Sequence, residues 1–205
     1  MYVDDILITG SCTSLIHQVI CDLKTTFALK TLGSIEYFLS FEAFRSSTGI
    51  YLTQTKYIVD LMAKTNMTTC KLSFTPVSTG TKLSLYDECY WALQYLTHTR
   101  LDISFIVNKF SQFLVAPTIV HWQACKRVLR FLKGIYSYGI LFKSSIPLQL
   151  DAFCDIDWAS SVDNRKSTSG CCVFLGGNII SWSSKKQTII TGSSIEAYIV
   201  LLLKP

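Results

Sequence analysis

Charge is what this sequence has least of. Asp, Glu, Lys and Arg make up 16% of its 205 residues, against about 25% in an ordinary soluble domain. Hydrophobic residues make up 49%. That balance excludes intrinsic disorder, which needs low hydrophobicity and high net charge. At 205 residues the chain can bury a core, as one large domain or two small or incomplete ones. Long apolar runs are missing too. Ile199–Leu203 is among the longest, far short of the ~20 residues that span a bilayer. The opening Met1-Tyr2-Val3-Asp4-Asp5 carries two carboxylates and no cation before them, which is not a secretory signal. Histidine is limited to the scattered His17, His98 and His121. The eight cysteines include no Cys-x-x-Cys pair, and the adjacent Cys171 and Cys172 make no knuckle. This argues against structural zinc. It suggests reduced, mostly buried thiols in an intracellular setting.

One sign of charge is absent over a long stretch. Between Asp102 and Asp151 there are 48 residues, six of them basic and none acidic. The net charge is −1 over residues 1–102 and +6 over residues 103–205. A one-signed stretch suits a polyanion, of which nucleic acid is the commonest. It also reads as a solvated basic face.

Periodicity places the elements. Tyr2–Thr9 reads as a hairpin arm with its turn at the aspartates. Ser14 is a candidate cap for a helix to about Phe27, with Leu15, Val19, Leu23 and Phe27 on one face. Leu32–Phe44 reads as a strand and Gly49–Gln54 as the second strand of a hairpin. Lys56–Lys64 reads as a helix with Ile58, Leu61 and Met62 on one side. Residues 68–88, rich in Ser and Thr with Pro76 and Gly80, are the best linker candidate. Helices over Ile103–Leu114 and Thr118–Gly134 follow, broken at Pro117. In the second, Trp122, Cys125, Val128 or Leu129, and Leu132 take one face. Lys126, Arg127, Arg130 and Lys133 take the other. Leu148–Trp158, Gly170–Leu175 and Ile179–Ser184 read as strands, the last two joined by the hairpin signal Gly176-Gly177-Asn178. A helix opens at Ser193 or Ser194.

The residues with most chemical potential are Asp4 and Asp5. Adjacent carboxylates on a tight turn repel each other unless a cation sits between them. Magnesium is the usual solution, because it takes carboxylate oxygens together with substrate phosphates. An exposed Asp-Asp turn is the plain alternative.

From here the sequence resembles a known family. Tyr2-Val3-Asp4-Asp5 with Ile6-Leu7-Ile8-Thr9-Gly10 is similar to the active-site hairpin of reverse transcriptases from copia-type LTR retrotransposons. In family order follow Leu32-Gly33 with Tyr37-Phe38-Leu39, and then Gly49 to Tyr57. Ala92 to Thr97, Thr99-Arg100 with Asp102-Ile103, and Lys126 to Gly134 continue the series. Asp155-Ile156-Asp157-Trp158-Ala159, Arg165 to Gly170, and Ile180 to Gln187 complete it. The ordered set spans essentially the whole chain. It is also similar to short plant open reading frames that begin at this same Met-Tyr-Val-Asp-Asp, one of them mitochondrial.

The resemblance implies an α+β fragment of a Pol polyprotein. Residues 1–70 would be the end of the reverse-transcriptase palm and the start of the thumb. Residues 71–146 would be a linker with thumb and connection helices. Residues 147–205 would be the first half of a ribonuclease H-like mixed sheet. Implied partners are an RNA or DNA template–primer or hybrid, and the remaining Pol segments. The implied cofactor is Mg2+, held by Asp4 and Asp5 at the polymerase site and by Asp155 at the ribonuclease H site. Lys126, Arg127, Arg130 and Lys133 are the candidate nucleic-acid contacts. The resemblance implies cytoplasm and nucleus for the element and a mitochondrion for a relic copy.

Glu196 is the candidate ribonuclease H glutamate, with a complication. The family reads Ser-Ser-Thr-Glu-Ala-Glu-Tyr where this chain reads Ser193-Ser194-Ile195-Glu196-Ala197-Tyr198. One glutamate is gone, and a one-residue deletion rotates a helical side chain by ~100°. Other departures are Ser40 for a family glycine, Leu101 for a family proline, and a shortened run before Ala92. The family's third polymerase aspartate precedes this Met1, and no acidic residue follows Glu196. The expectation is parent chemistry of two-metal phosphoryl transfer, with this chain inactive alone. The alternatives are a non-catalytic nucleic-acid-binding remnant, or a pseudogene product left with unpaired sheet edges.

Overall fold

A computed structural model describes residues 6–76, 87–113, 119–144, 147–161 and 163–203. The chain divides into two compact units, residues 1–35 and residues 36–205. The expected palm hairpin turn, with Asp4 and Asp5, lies outside the described residues, as does Pro117.

The first unit holds helix α1, Thr13–Thr26. Its N-cap is Cys12 rather than the expected Ser14, and no side chain caps it. The Ser14 hydroxyl instead lies 3.0 Å from the Cys12 thiol. Sequence periodicity placed Leu15, Val19, Leu23 and Phe27 on one apolar face, yet α1 has no buried residue. Its period is helical, but no core receives that face within the unit.

The second unit begins with a meander: β1 (Tyr37–Phe38), β2 (Phe41–Ser46) and β3 (Gly49–Thr53). The single strand expected over Leu32–Phe44 is therefore broken. Leu39 and Ser40 turn the chain with φ of 45° and 64°, and Phe38 pairs with Phe41 across them. Two successive positive φ values make the tight hairpin turn whose twist matches paired strands. Strand β4 (Ile140–Lys143) pairs antiparallel with β3 and completes a sheet of order β1-β2-β3-β4. Gly139 makes that pairing possible, since a Cβ there would fall onto the Leu52 carbonyl.

The core is helical. It is built by α2 (Thr55–Lys64), α3 (Asp87–Leu96), α4 (Ser104–Ser111) and α5 (Ile119–Gly134). The helix expected over Ile103–Leu114 starts as a 3-10 turn, Leu101–Ile103, and continues as α4. Ile58, Leu93, Leu96, Ile103, Val107, Phe110, Val128, Leu129 and Leu132 are completely buried. Each such side chain contributes about 1.5–3 kcal/mol. On α5 the buried line is His121, Cys125, Val128, Leu129 and Leu132, while Trp122 is half-buried at its edge.

A polar network pins this core to the first sheet. The Gln54 side-chain Oε1 accepts from Thr99 Oγ1 at 2.7 Å. Arg100, 2% exposed, forks onto Asp102 at 3.1 and 2.7 Å and reaches the Ile135 carbonyl at 3.0 Å. Burying such a charge is tolerable only when it is paired and hydrogen-bonded.

A second sheet, order β5-β6-β7, contains β5 (Leu150–Asp157), β6 (Thr168–Leu175) and β7 (Asn178–Lys186). Both pairings are antiparallel, where a mixed sheet was expected, and the two-residue turn between β6 and β7 admits only antiparallel neighbours. Gly176 and Gly177 turn the second hairpin with φ of 56° and 76°. Asn178 clamps Lys143 on β4, accepting from its N–H at 2.7 Å and donating to its carbonyl at 2.8 Å. Helix α6, Ser194–Leu203, closes the described chain. The thiols are less buried than expected: among the eight, Cys89 and Cys125 are buried, while Cys12 and Cys21 are exposed.

Candidate functional site

Asp155 stands on β5 with its side chain on the same face as Asp157, two residues on. The register places Asp155 opposite Gly170 and Asp157 opposite Thr168. That face forms one wall of a cavity of about 340 Å³, with Thr168, Trp182 and Ser184 beside the two aspartates and Ser104 and Phe105 of α4 opposite. Trp182 anchors the wall by donating to the Thr97 carbonyl at 2.9 Å.

Helix α6 is hung on the sheet by buried polar groups. Gln187 Nε2 donates to Ser169 Oγ and to the Ala197 carbonyl, both at 3.0 Å. The Trp158 indole donates to the Thr191 carbonyl at 3.3 Å. Ala197, fully buried, marks the inner side of the helix.

This placement decides which side chain meets Asp155. Glu196 sits in the first turn of the helix, and its hydrogen bonds are local. Its Oε2 accepts from the Gly192 N–H at 2.7 Å, and its own N–H donates to Ser193 Oγ at 3.2 Å. Ser193 Oγ thus caps the Glu196 N–H that the helix start leaves free, while the Glu196 carboxylate holds the Gly192 N–H just before the cap. The residue at Asp155 is Tyr198, whose hydroxyl donates to Oδ1 at 3.2 Å. The same Oδ1 accepts from the Ile156 N–H at 2.8 Å. Tyr198 went unrecognised in the sequence, although the shortened Glu-Ala-Tyr run was its visible signal.

Magnesium takes octahedral oxygen ligands, commonly one or two carboxylates together with waters and substrate phosphates. Here the strand offers two carboxylates, and the helix offers a neutral hydroxyl. The helix thus adds no carboxylate to Asp155 and Asp157 in the contacts seen here. Among the described residues no group of three His, Cys, Asp or Glu side chains converges as a metal site.

The four basic residues of α5 do lie along one side of the helix, and all four are half-buried. Arg127 Nη2 donates to Thr75 Oγ1 at 2.7 Å and its Nε to the Thr75 carbonyl at 3.2 Å. Lys133 Nζ donates to the Cys70 carbonyl at 2.8 Å. The Lys126 ammonium lies 5.1 Å from the Trp122 ring centroid. Arg130 accepts the Ser73 N–H on its carbonyl at 3.3 Å, and its Nε is buried with no hydrogen-bond partner. Segment 70–75 thus lies along part of this face.

A second basic group emerges only in three dimensions. Burial pushes the Lys186 ammonium below its ordinary value. Asp163 opposes this, and the charges of Lys166 and Lys109 push it further down. Lys186 also donates to Gln112 Oε1 at 2.9 Å. These lysines come from β7, the loop before β6 and α4, so no linear pattern reveals them.

Comparison with known proteins now places the chain. Residues 1–79 match the family described as reverse transcriptase (RNA-dependent DNA polymerase). A retrovirus-related Pol polyprotein from transposon RE1 of Arabidopsis thaliana is 46% identical over 96% of this chain, which covers 14% of that polyprotein. The Pol polyprotein from transposon TNT 1-94 of Nicotiana tabacum is 34% identical over 96% of the chain, covering 16% of its length. An uncharacterized mitochondrial protein of Arabidopsis thaliana is 41% identical over 96% of the chain, and 86% of that protein is covered. No solved structure matches. The chain thus spans a small part of the Pol polyproteins and most of the mitochondrial protein. On its sequence blocks and these relatives, it belongs to the copia-type LTR-retrotransposon Pol family, as a fragment that includes reverse-transcriptase sequence.

Proposed function

We propose that this chain is a non-catalytic nucleic-acid-binding piece of a Pol polyprotein whose parent performs two-metal phosphoryl transfer. In this reading residues 1–70 are the end of the palm and the start of the thumb. Residues 71–146 are linker and connection helices. Residues 147–205 are the first half of a ribonuclease H-like domain. The three-stranded antiparallel sheet, with Asp155 on β5 and α6 against that strand, supports the last assignment.

The observation that carries the inactivity is the contact at Asp155. Tyr198 occupies the place from which a helix carboxylate would reach the strand, and Glu196 is engaged as a helix cap. A tyrosine in place of a glutamate brings one carboxylate fewer to a divalent cation. What remains to the chain is affinity for phosphates, through Lys126 and Arg130 of α5 and the cluster of Lys109, Lys166 and Lys186.

The test is an assay on the whole chain in Mg2+, with an RNA–DNA hybrid and a primed template as substrates. The expected result is binding without cleavage or extension. Cleavage lost in Asp155→Asn, or extension lost in Asp4→Asn, would overturn the reading.

A further inference from the structure

The second sheet carries a feature that the Pol assignment does not use. The register sets Cys154 on β5 directly opposite Cys171 on β6, and their Sγ atoms lie 2.6 Å apart. Directly paired residues in an antiparallel sheet have Cα atoms about 4.5–5.5 Å apart, inside the 4.4–6.8 Å span that a disulfide bridges. The register thus holds the pair within disulfide reach. Both residues are half-buried, so a small reagent reaches them without unfolding. We infer that Cys154 and Cys171 form a cross-strand thiol pair that a small-molecule disulfide such as oxidised glutathione converts to an intramolecular disulfide.

The molecule contains its own comparison. Cys89 on α3 and Cys125 on α5 are also close, with Sγ atoms 2.7 Å apart. They lie in the helical core, 5% and 0% exposed. Geometry is shared by the two pairs, and access separates them. Cys172 is the other competitor, but alternation along β6 sends its side chain to the opposite face, where it lines the cavity beside Asp155.

The exchange balances in two steps. One cysteine gives up its proton, and its thiolate attacks a sulfur of oxidised glutathione. The glutathione S–S bond breaks, a mixed disulfide forms, and one glutathione thiolate leaves and takes up a proton. The second cysteine then loses its proton and attacks the protein sulfur of the mixed disulfide. The protein S–S bond forms, and the second glutathione leaves as a thiol. Two protein thiols are oxidised and one glutathione disulfide is reduced to two thiols. The product staples β5, which carries Asp155 and Asp157, to the central strand of its sheet.

The experiment incubates the full chain in glutathione buffers of rising oxidised-to-reduced ratio. The reaction is quenched with acid, remaining thiols are alkylated, and peptides are mapped without reduction. The expected result is a Cys154–Cys171 cross-link, reversed by dithiothreitol, while Cys89 and Cys125 still alkylate. The link persists in Cys172→Ser and vanishes in Cys171→Ser. Fragmentation of the linked wild-type peptide between residues 171 and 172 gives the same answer without a variant. Three results would overturn the inference: Cys154 held only as a glutathione adduct, a bridge to Cys172, or closure of Cys89–Cys125 before Cys154–Cys171.

Discussion

Ser40 sits in the left-handed region, with φ of 64°, beside Leu39 in the turn between β1 and β2. Most side chains are strained there, and glycine is not. Ser40→Gly is expected to raise stability by about 1 kcal/mol, read as a higher urea midpoint with an unchanged slope. A lower midpoint would mean the turn is held by something other than backbone preference. His121 is a second residue with a readable consequence. Burial pushes its imidazole down to about 4 from 6.5, beside the Phe113 ring at 4.5 Å. The folded state therefore holds it neutral while the unfolded state takes up a proton below pH 6.5. Stability is fully present above that pH and falls as pH drops toward 4, by about 3 kcal/mol at most. His121→Phe should flatten that part of the profile. At this scale the sequence was only partly legible. The missing glutamate was visible as a shortened run at Glu196-Ala197-Tyr198. That Tyr198 would take the position at Asp155 depended on where Ala197 anchors the helix, which is a packing fact.

Elements were more legible than their partners. The helix with Ile58, Leu61 and Met62 inward, the hairpin at Gly176-Gly177-Asn178 and the strand carrying Asp155 follow from period and turn chemistry. Leu32–Phe44 misled because its β-rich composition conceals a turn made without glycine or proline. Helix α1 has the right period, but periodicity names a face without naming what covers it. The basic side of α5 shows the same limit. Its charges were visible in the sequence, while the carbonyls of Cys70 and Thr75, which hold Lys133 and Arg127, lie more than fifty residues away. Four phosphate contacts would give a log–log salt slope near −3.6 on duplex DNA, each contact contributing about −0.9. With two of the four side chains held by the chain itself, a shallower slope is expected. Lys126→Ala should weaken binding and reduce the slope by about 0.9. Arg127→Ala should lower the melting temperature and change the slope little. The reverse pattern, from salt titrations of both variants, would show that Arg127 leaves Thr75 for phosphate.

At the scale of the whole molecule, the chain joins a well-packed helical core to a thinly covered sheet. Core residues from α2 through α5 are buried to a few per cent. Around the second sheet, Leu150, Phe153, Ile195, Leu202 and Leu203 are 65–76% exposed. The family was legible from ordered sequence blocks, and the relatives bear it out. The proposed loss of the metal site was signalled in the sequence by one glutamate alone, because ligand geometry depends on helix rotation. The central claim is that the site at Asp155 lacks a helix carboxylate because Tyr198 stands in its place. The most direct measurement is a titration with Mn2+ as a paramagnetic stand-in for magnesium, followed by relaxation of water protons. The account expects wild type and Asp155→Asn to bind equally weakly. It expects Tyr198→Glu to bind at least about tenfold tighter, equivalent to about 1.4 kcal/mol. Tight wild-type binding that Asp155→Asn abolishes and Tyr198→Glu leaves unchanged would contradict it.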